Sequence, residues 1–184
     1  MKKYLLAIAI VIVSGAIFWQ FRQPDIIIIA NFAECVAAGN PVMESYPRQC
    51  RANNQTFAEL VGNELEKINL IRLSTPRPNE IIKNPLIVRG EARGFWFFEA
   101  GFPVILTDWD GRIIGQGIAT AEKEWMTEEF VPFSATVKFT DPTYKNNGSL
   151  ILKKDNPSGL PEHDDALEIP IFFETVLPPT DENI

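Results

Sequence analysis

From Val131 to Phe139 the chain alternates strictly, with Val131, Phe133, Ala135, Val137 and Phe139 on one side and Pro132, Ser134, Thr136 and Lys138 on the other. A period of two marks a half-buried strand. Similar runs, separated by turn residues at intervals of about a dozen positions, predict strands near Ile68 to Ser74, Leu86 to Ala92, Val104 to Trp109, Arg112 to Ala121, Ser149 to Lys154 and Leu167 to Phe173. Asp110-Gly111, between two apolar runs, predicts a two-residue hairpin turn and hence antiparallel neighbours. Pro132 cannot donate to a ladder, which places it at a strand start or edge. No strand-helix alternation of the kind a parallel sheet needs is visible, so the pattern predicts an all-β, antiparallel sandwich of about seven strands. Helical turns are expected only at Thr127 to Phe130 and Glu64 to Lys67.

The N-terminus reads differently. Lys2-Lys3 precede Tyr4 to Trp19, a stretch that is apolar apart from Ser14 and Gly15. Two readings fit a charged start followed by an apolar run. As an uncleaved anchor, Tyr4 to Phe21 spans about 27 Å of helix, and Trp19 and Arg22 fall where interface residues belong. As a signal peptide, Ser14-Gly15-Ala16 supplies the small-x-small cleavage pattern, but the mature protein would then begin with Ile17-Phe18-Trp19. The flanks favour the anchor; both readings place the rest of the chain outside the cytoplasm. Lipoprotein attachment at Cys35 is disfavoured, because Phe32-Ala33-Glu34 precedes it well beyond the apolar stretch.

Export changes the reading of the two cysteines. In an oxidising compartment Cys35 and Cys50 are expected to be joined, and closing a loop of about 15 residues contributes roughly 3 kcal/mol through the entropy of the unfolded chain. A stretch as short as Ala30 to Leu60 has little core of its own. The formal charge of −7 argues against nucleic acid, whose phosphates need clustered Lys and Arg, and against adhesion to an anionic membrane surface.

Gly94 to Phe139, with its FWFFEAGFPV and EWMTEEFVPF segments, together with Ser74-Thr75-Pro76, Pro85 to Gly90 and Leu167 to Pro170, resembles the Gmad2 family over roughly Leu70 to Glu174. The resemblance implies an immunoglobulin-like sandwich with a non-catalytic binding or scaffolding role in the bacterial cell envelope. A second, faint resemblance links the segment from Tyr46 to Phe57 to the latter half of a Kazal-type inhibitor. Such inhibitors use three disulfides and this chain has two cysteines, so a stapled spacer is the expectation, with Gly39-Asn40-Pro41 as the loop an inhibitor would need. The chain thus divides into 1–22 (anchor or signal peptide), 23–66 (disulfide segment), 67–175 (sandwich) and 176–184 (an acidic, Pro-rich tail).

Reactive constellations are sparse. His163 is the single histidine; Ser158, His163 and Asp164 lie close in sequence, but in a turn-rich loop without a nucleophile elbow. Asp155, Glu162, Asp164 and Asp165 invite calcium but lack regular ligand spacing. Glu99 and Asp108 are a nominal carboxylate pair for glycoside hydrolysis. Trp96, Trp109 and Trp125 with Phe95, Phe97, Phe98 and Phe102 make either a core or a sugar-stacking platform; alternation puts Phe95 and Phe97 on one face and Trp96 and Phe98 on the other. The expectation is no enzyme, no cofactor and no metal. It is instead an envelope module for a protein partner, with cell-wall glycan as the alternative ligand and protease inhibition behind both.

Overall fold

The computed structural model describes residues 28–174, which divide after Ala58 into two units. The anchor or signal helix expected over 1–22 and the tail of 176–184 lie outside the described residues. Among the described residues no helix is long and apolar enough to cross a membrane. Among the described residues eleven strands form, three in the first unit and eight in the second, where about seven were expected for the sandwich.

The first unit holds helix α1 (Phe32–Ala37) and a three-stranded antiparallel sheet, β1 (Val42–Met43), β2 (Gln49–Ala52) and β3 (Gln55–Ala58). Asn31 caps α1 by accepting from the Glu34 N–H, one of the donors that a helix start leaves unpaired. Asn53 and Asn54, at φ 49° and 61°, form the β2–β3 turn, a conformation that asparagine tolerates better than most residues. The buried centre is Cys35, Cys50 and Ala52, with Ile29, Phe32, Val42 and Phe57 packed around it. Cys35 and Cys50 are disulfide-bonded, 6.1 Å apart at Cα. The staple therefore sits where a larger unit would place its core.

The second unit begins at Glu59, so Glu59 to Glu66, grouped with the disulfide segment on sequence grounds, packs with the sandwich. It contains α2 (Glu64–Lys67), β4 (Ile71–Thr75), β5 (Ile81–Ile82), β6 (Leu86–Arg93), β7 (Gly101–Asp108), β8 (Ile113–Ala121), β9 (Phe130–Val137), β10 (Asn147–Lys153) and β11 (Ala166–Phe173). Single turns of 3₁₀ helix lie at Gly94–Trp96 and Pro161–His163. The pairing order is β4-β6-β9-β8-β7-β10-β11-β5. The seven strands predicted from alternation are all present. The eighth, β5, has two residues and pairs parallel to β11, too short to show any period.

Strands β4-β6-β9 form one layer and β8-β7-β10-β11-β5 the other, joined where Thr120 and Ala121 of β8 meet Ser134 and Phe133 of β9. Gly115 and Gly117 permit that crossing, since a Cβ on either would press into Val137 or Phe139. The inward face read from Val131 to Phe139 is buried throughout. It meets Phe102, Val104 and Leu106 of β7, Leu150 and Leu152 of β10, and Leu167, Ile169 and Ile171 of β11 in a single core. Phe102 packs edge-on against Phe97 and Phe133, with ring centres 5.1 and 4.9 Å apart. A sheet with one apolar and one solvated face can bury its apolar side only against another layer, and the second sheet supplies it.

The β7–β8 turn departs from the two-residue form. Asp108 C=O accepts from Gly111 N–H, Asp108 N–H donates to Arg112 C=O, and Gly111 alone has positive φ. The loop is three residues, Trp109 to Gly111, closing with a glycine in the left-handed region. The helical turn expected at Thr127 to Phe130 is absent; that stretch bends and enters β9. Glu64 to Lys67 is helical as read, and the buried Glu64 carboxylate pairs with Arg77 Nη1 at 2.7 Å.

Candidate functional site

Three connections gather at one end of the sandwich: residues 94–100 between β6 and β7, residues 122–129 between β8 and β9, and residues 154–165 between β10 and β11. Backbone hydrogen bonds tie them together. Gly94 N–H donates to Glu129 C=O, Ala121 N–H to Ala100 C=O, and Asp155 N–H to Trp96 C=O. Arg93 Nη1 donates to Glu128 C=O at 3.1 Å. Gly94 fits only without a side chain, because a Cβ there would run into the carbonyls of Trp125 and Thr127.

The 3₁₀ turn at Gly94–Trp96 breaks the alternation expected through Phe95 to Phe98. Trp96 and Phe97 point inward, fully buried with Phe102, while Phe95 and Phe98 are 51% and 43% exposed. The aromatic group is therefore neither all core nor all platform. Phe98 is held by a tight hairpin: its N–H and C=O exchange bonds of 3.0 Å with Gly101, leaving Glu99 and Ala100 as central residues at φ 47° and 62°. Two consecutive positive-φ residues without glycine or asparagine cost about 1–2 kcal/mol each. Strain of this kind persists where its surroundings over-determine it and clusters at functional sites.

The other two connections also carry exposed apolar side chains, Met126 at 73% and Leu160 at 48%, and Trp125 rests partly buried on the core. The three connections carry nine acids (Glu99, Glu122, Glu124, Glu128, Glu129, Asp155, Glu162, Asp164 and Asp165) against two lysines, Lys123 and Lys154. The three connections thus combine exposed apolar side chains with a marked excess of acids.

The other readings place as follows. Ser158 donates to Asn156 Oδ1 and accepts from Leu160 N–H, so its hydroxyl is spent within the loop rather than on His163. Asp164 accepts from Asn156 at 2.9 Å, and that hydrogen bond, foremost, with Lys153 nearby, holds its carboxyl below the usual value. Asp165 pairs with Lys67 and Asp164 with Lys153; among the described residues no group of three or more potential ligands converges on one point. Glu99 and Asp108 flank opposite ends of β7, about 23 Å of strand apart, well beyond glycosidase separations. Gly39-Asn40 folds back against α1, with Asn40 N–H and Nδ2 both donating to Cys35 C=O, and Pro41 follows directly, so this stretch caps the helix.

Sheet edges offer a second mode of docking, by strand addition. The outer edge of β11 is occupied: Asn63 donates to Ala166 C=O and Glu168 C=O and accepts from Glu168 N–H, while Asn79 N–H reaches Pro170 C=O and Phe172 N–H reaches Glu80 C=O. On β4, Arg77 Nη1 donates to Leu73 C=O, and an exposed Arg72 further discourages pairing. These contacts cover the outer edge of β11 and one carbonyl of β4.

An antiparallel sandwich with a short β5 paired in parallel to the last strand, with connecting loops gathered at one end, has the architecture of an immunoglobulin-like domain. Residues 70–159 match the family Gmad2, described as the immunoglobulin-like domain of bacterial spore germination. The match ends before β11, which completes the sandwich and its core. No curated protein and no solved structure gives a significant match to the chain.

Proposed function

We propose that this chain is a non-catalytic binding module of the bacterial cell envelope, held at the membrane by its N-terminal segment with the disulfide unit and sandwich outside the cytoplasm. Its loop end engages a protein partner. The observation that carries this reading is the exposed set Phe95, Phe98, Met126 and Leu160 on three connections pinned to one another. A monomer rarely exposes such a cluster without a use for it. Charge complementarity describes the partner: a protein surface with apolar side chains bordered by Lys and Arg, bound less tightly as salt rises. The disulfide and the charged, apolar N-terminus support the compartment.

The test is site-specific photo-crosslinking in intact cells. A photoreactive residue replacing Phe98 or Met126 is expected to give one discrete protein adduct, and the same residue replacing Ile118, exposed on β8, none. Adducts of equal yield at all three positions, or none at 98 and 126, would sink the assignment. Labelling of reduced Cys35 and Cys50 by a membrane-impermeant thiol reagent in unbroken cells checks the compartment.

A further inference from the structure

At the far end of β7 a second aromatic group faces solvent. Trp96 is fully buried and Trp125 is packed on the core, but Trp109 is 40% exposed in the β7–β8 turn. Its ring lies against that of Tyr144, itself 76% exposed, with centres 5.5 Å apart and planes inclined at 55°. Lys145 Nζ lies 4.4 Å from the centre of the Trp109 ring.

Both rings ride on anchored backbone. Asp108 Oδ1 accepts from Asp110 N–H and Arg112 N–H, fixing the turn that carries Trp109. Asn146 C=O accepts from Phe173 N–H at 2.7 Å, fixing the end of the loop that carries Tyr144. Gly148 pairs with Asp108, so the register continues Asn147 and Asn146 alongside the turn. Contact among Trp109, Tyr144 and Lys145 holds the three side chains against one another. It does not account for two large rings being on the outside, because neither contributes to the core.

We propose that Trp109 and Tyr144 form a saccharide-stacking site for a neutral, β-linked, glucose-configured oligosaccharide, with N-acetylhexosamine chains as the first class. Such pyranoses carry their hydroxyls equatorially and present flat C–H faces, which match an inclined pair of rings. The residues flanking the rings in sequence and register are Asp110, Asn146 and Asn147, whose amides and carboxylate suit hydroxyl and acetamido groups, and Lys145, a cation with three N–H donors. Asp108, Asp110 and Asp141 outnumber Arg112 and Lys145 in the turn and the facing loop, which favours a neutral chain over a polyanion. The site is separate from the loop end, so either assignment can fail while the other stands.

Calorimetric titration of the full chain with chitohexaose tests it, with cellohexaose and an oligogalacturonate as comparison ligands. Saturable binding of a neutral hexasaccharide is expected, weakened about tenfold by Trp109→Ala or Tyr144→Ala, the equivalent of one lost ring contact. Trp109→Phe should retain part of it and Phe98→Ser all of it. Thermal unfolding of each variant shows whether the sandwich is intact. No saturable binding by the intact protein, tighter binding of the oligogalacturonate, or binding unchanged in a folded Trp109→Ala variant would each overturn the proposal.

Discussion

Replacing Glu99-Ala100 by Asn-Gly should stabilise the sandwich. Both residues occupy the left-handed region at φ 47° and 62°, and the Phe98–Gly101 bonds on either side leave no room to relax. A side chain in that region costs about 1–2 kcal/mol, against roughly 0.5–1 kcal/mol of extra chain entropy when glycine is introduced. Glycine at 100 therefore recovers about 0.5–1 kcal/mol, and asparagine at 99 a similar amount, so the pair is worth about 1.5 kcal/mol. At about 2.1 cal/mol/K per residue, a unit of roughly 115 residues unfolds with an entropy near 0.24 kcal/mol/K, which converts the gain to about 6 °C in Tm. Scanning calorimetry of the full chain reads the shift in the transition of the larger unit. An unchanged or lowered Tm would show that the turn carries no strain and would remove one of the arguments for a built presentation of Phe98.

Further outcomes follow from the same geometry. Gly94→Ala should destabilise the sandwich by about 3 kcal/mol, because the new methyl meets two backbone carbonyls that cannot retreat; thermal unfolding reads it, and a neutral result would contradict the packing described for the loop end. Cys35→Ser with Cys50→Ser should cost the small unit about 3 kcal/mol while leaving the larger unit's transition in place; a lowered second transition would show that the two units do not unfold separately. Burial raises the Glu64 carboxyl above 4.5 despite the opposing pull of Arg77. Between the ordinary and the raised value the folded state holds a proton that the unfolded state has lost, so stability falls as pH rises through that window and the deficit persists above it. Glu64→Gln should flatten this decline in a pH series of Tm values, and a decline of the same slope in the variant would place its origin elsewhere.

The strands were legible because each sandwich strand of five residues or more carries its own alternation, and the buried face of β9 could be named residue by residue. Features governed by backbone geometry were less so. The Asp110-Gly111 signal was real, but its glycine closes a three-residue loop, while the tight two-residue turn falls at Glu99-Ala100, where no residue advertises positive φ. In the first unit the Asn53-Asn54 turn joins two strands of four residues each, too short to show a period. At Phe95 to Phe98, one 3₁₀ turn shifts the period and exchanges which rings are buried, so half the exposed aromatics of the candidate site could not be named from alternation. Glu59 to Glu66 was grouped with the disulfide segment because the partner that holds it, the edge of β11, lies a hundred residues further along the chain.

The central claim is that the loop end binds a protein through Phe95, Phe98, Met126 and Leu160. Its most direct measurement is the affinity of the partner recovered by crosslinking at position 98, titrated into the intact protein and into a Phe98→Ser, Met126→Ser variant of unchanged Tm. Binding that weakens at least tenfold in the variant, about 1.4 kcal/mol, and that falls as salt rises would bear the claim out. Equal affinity for both proteins, with no dependence on salt, would contradict it.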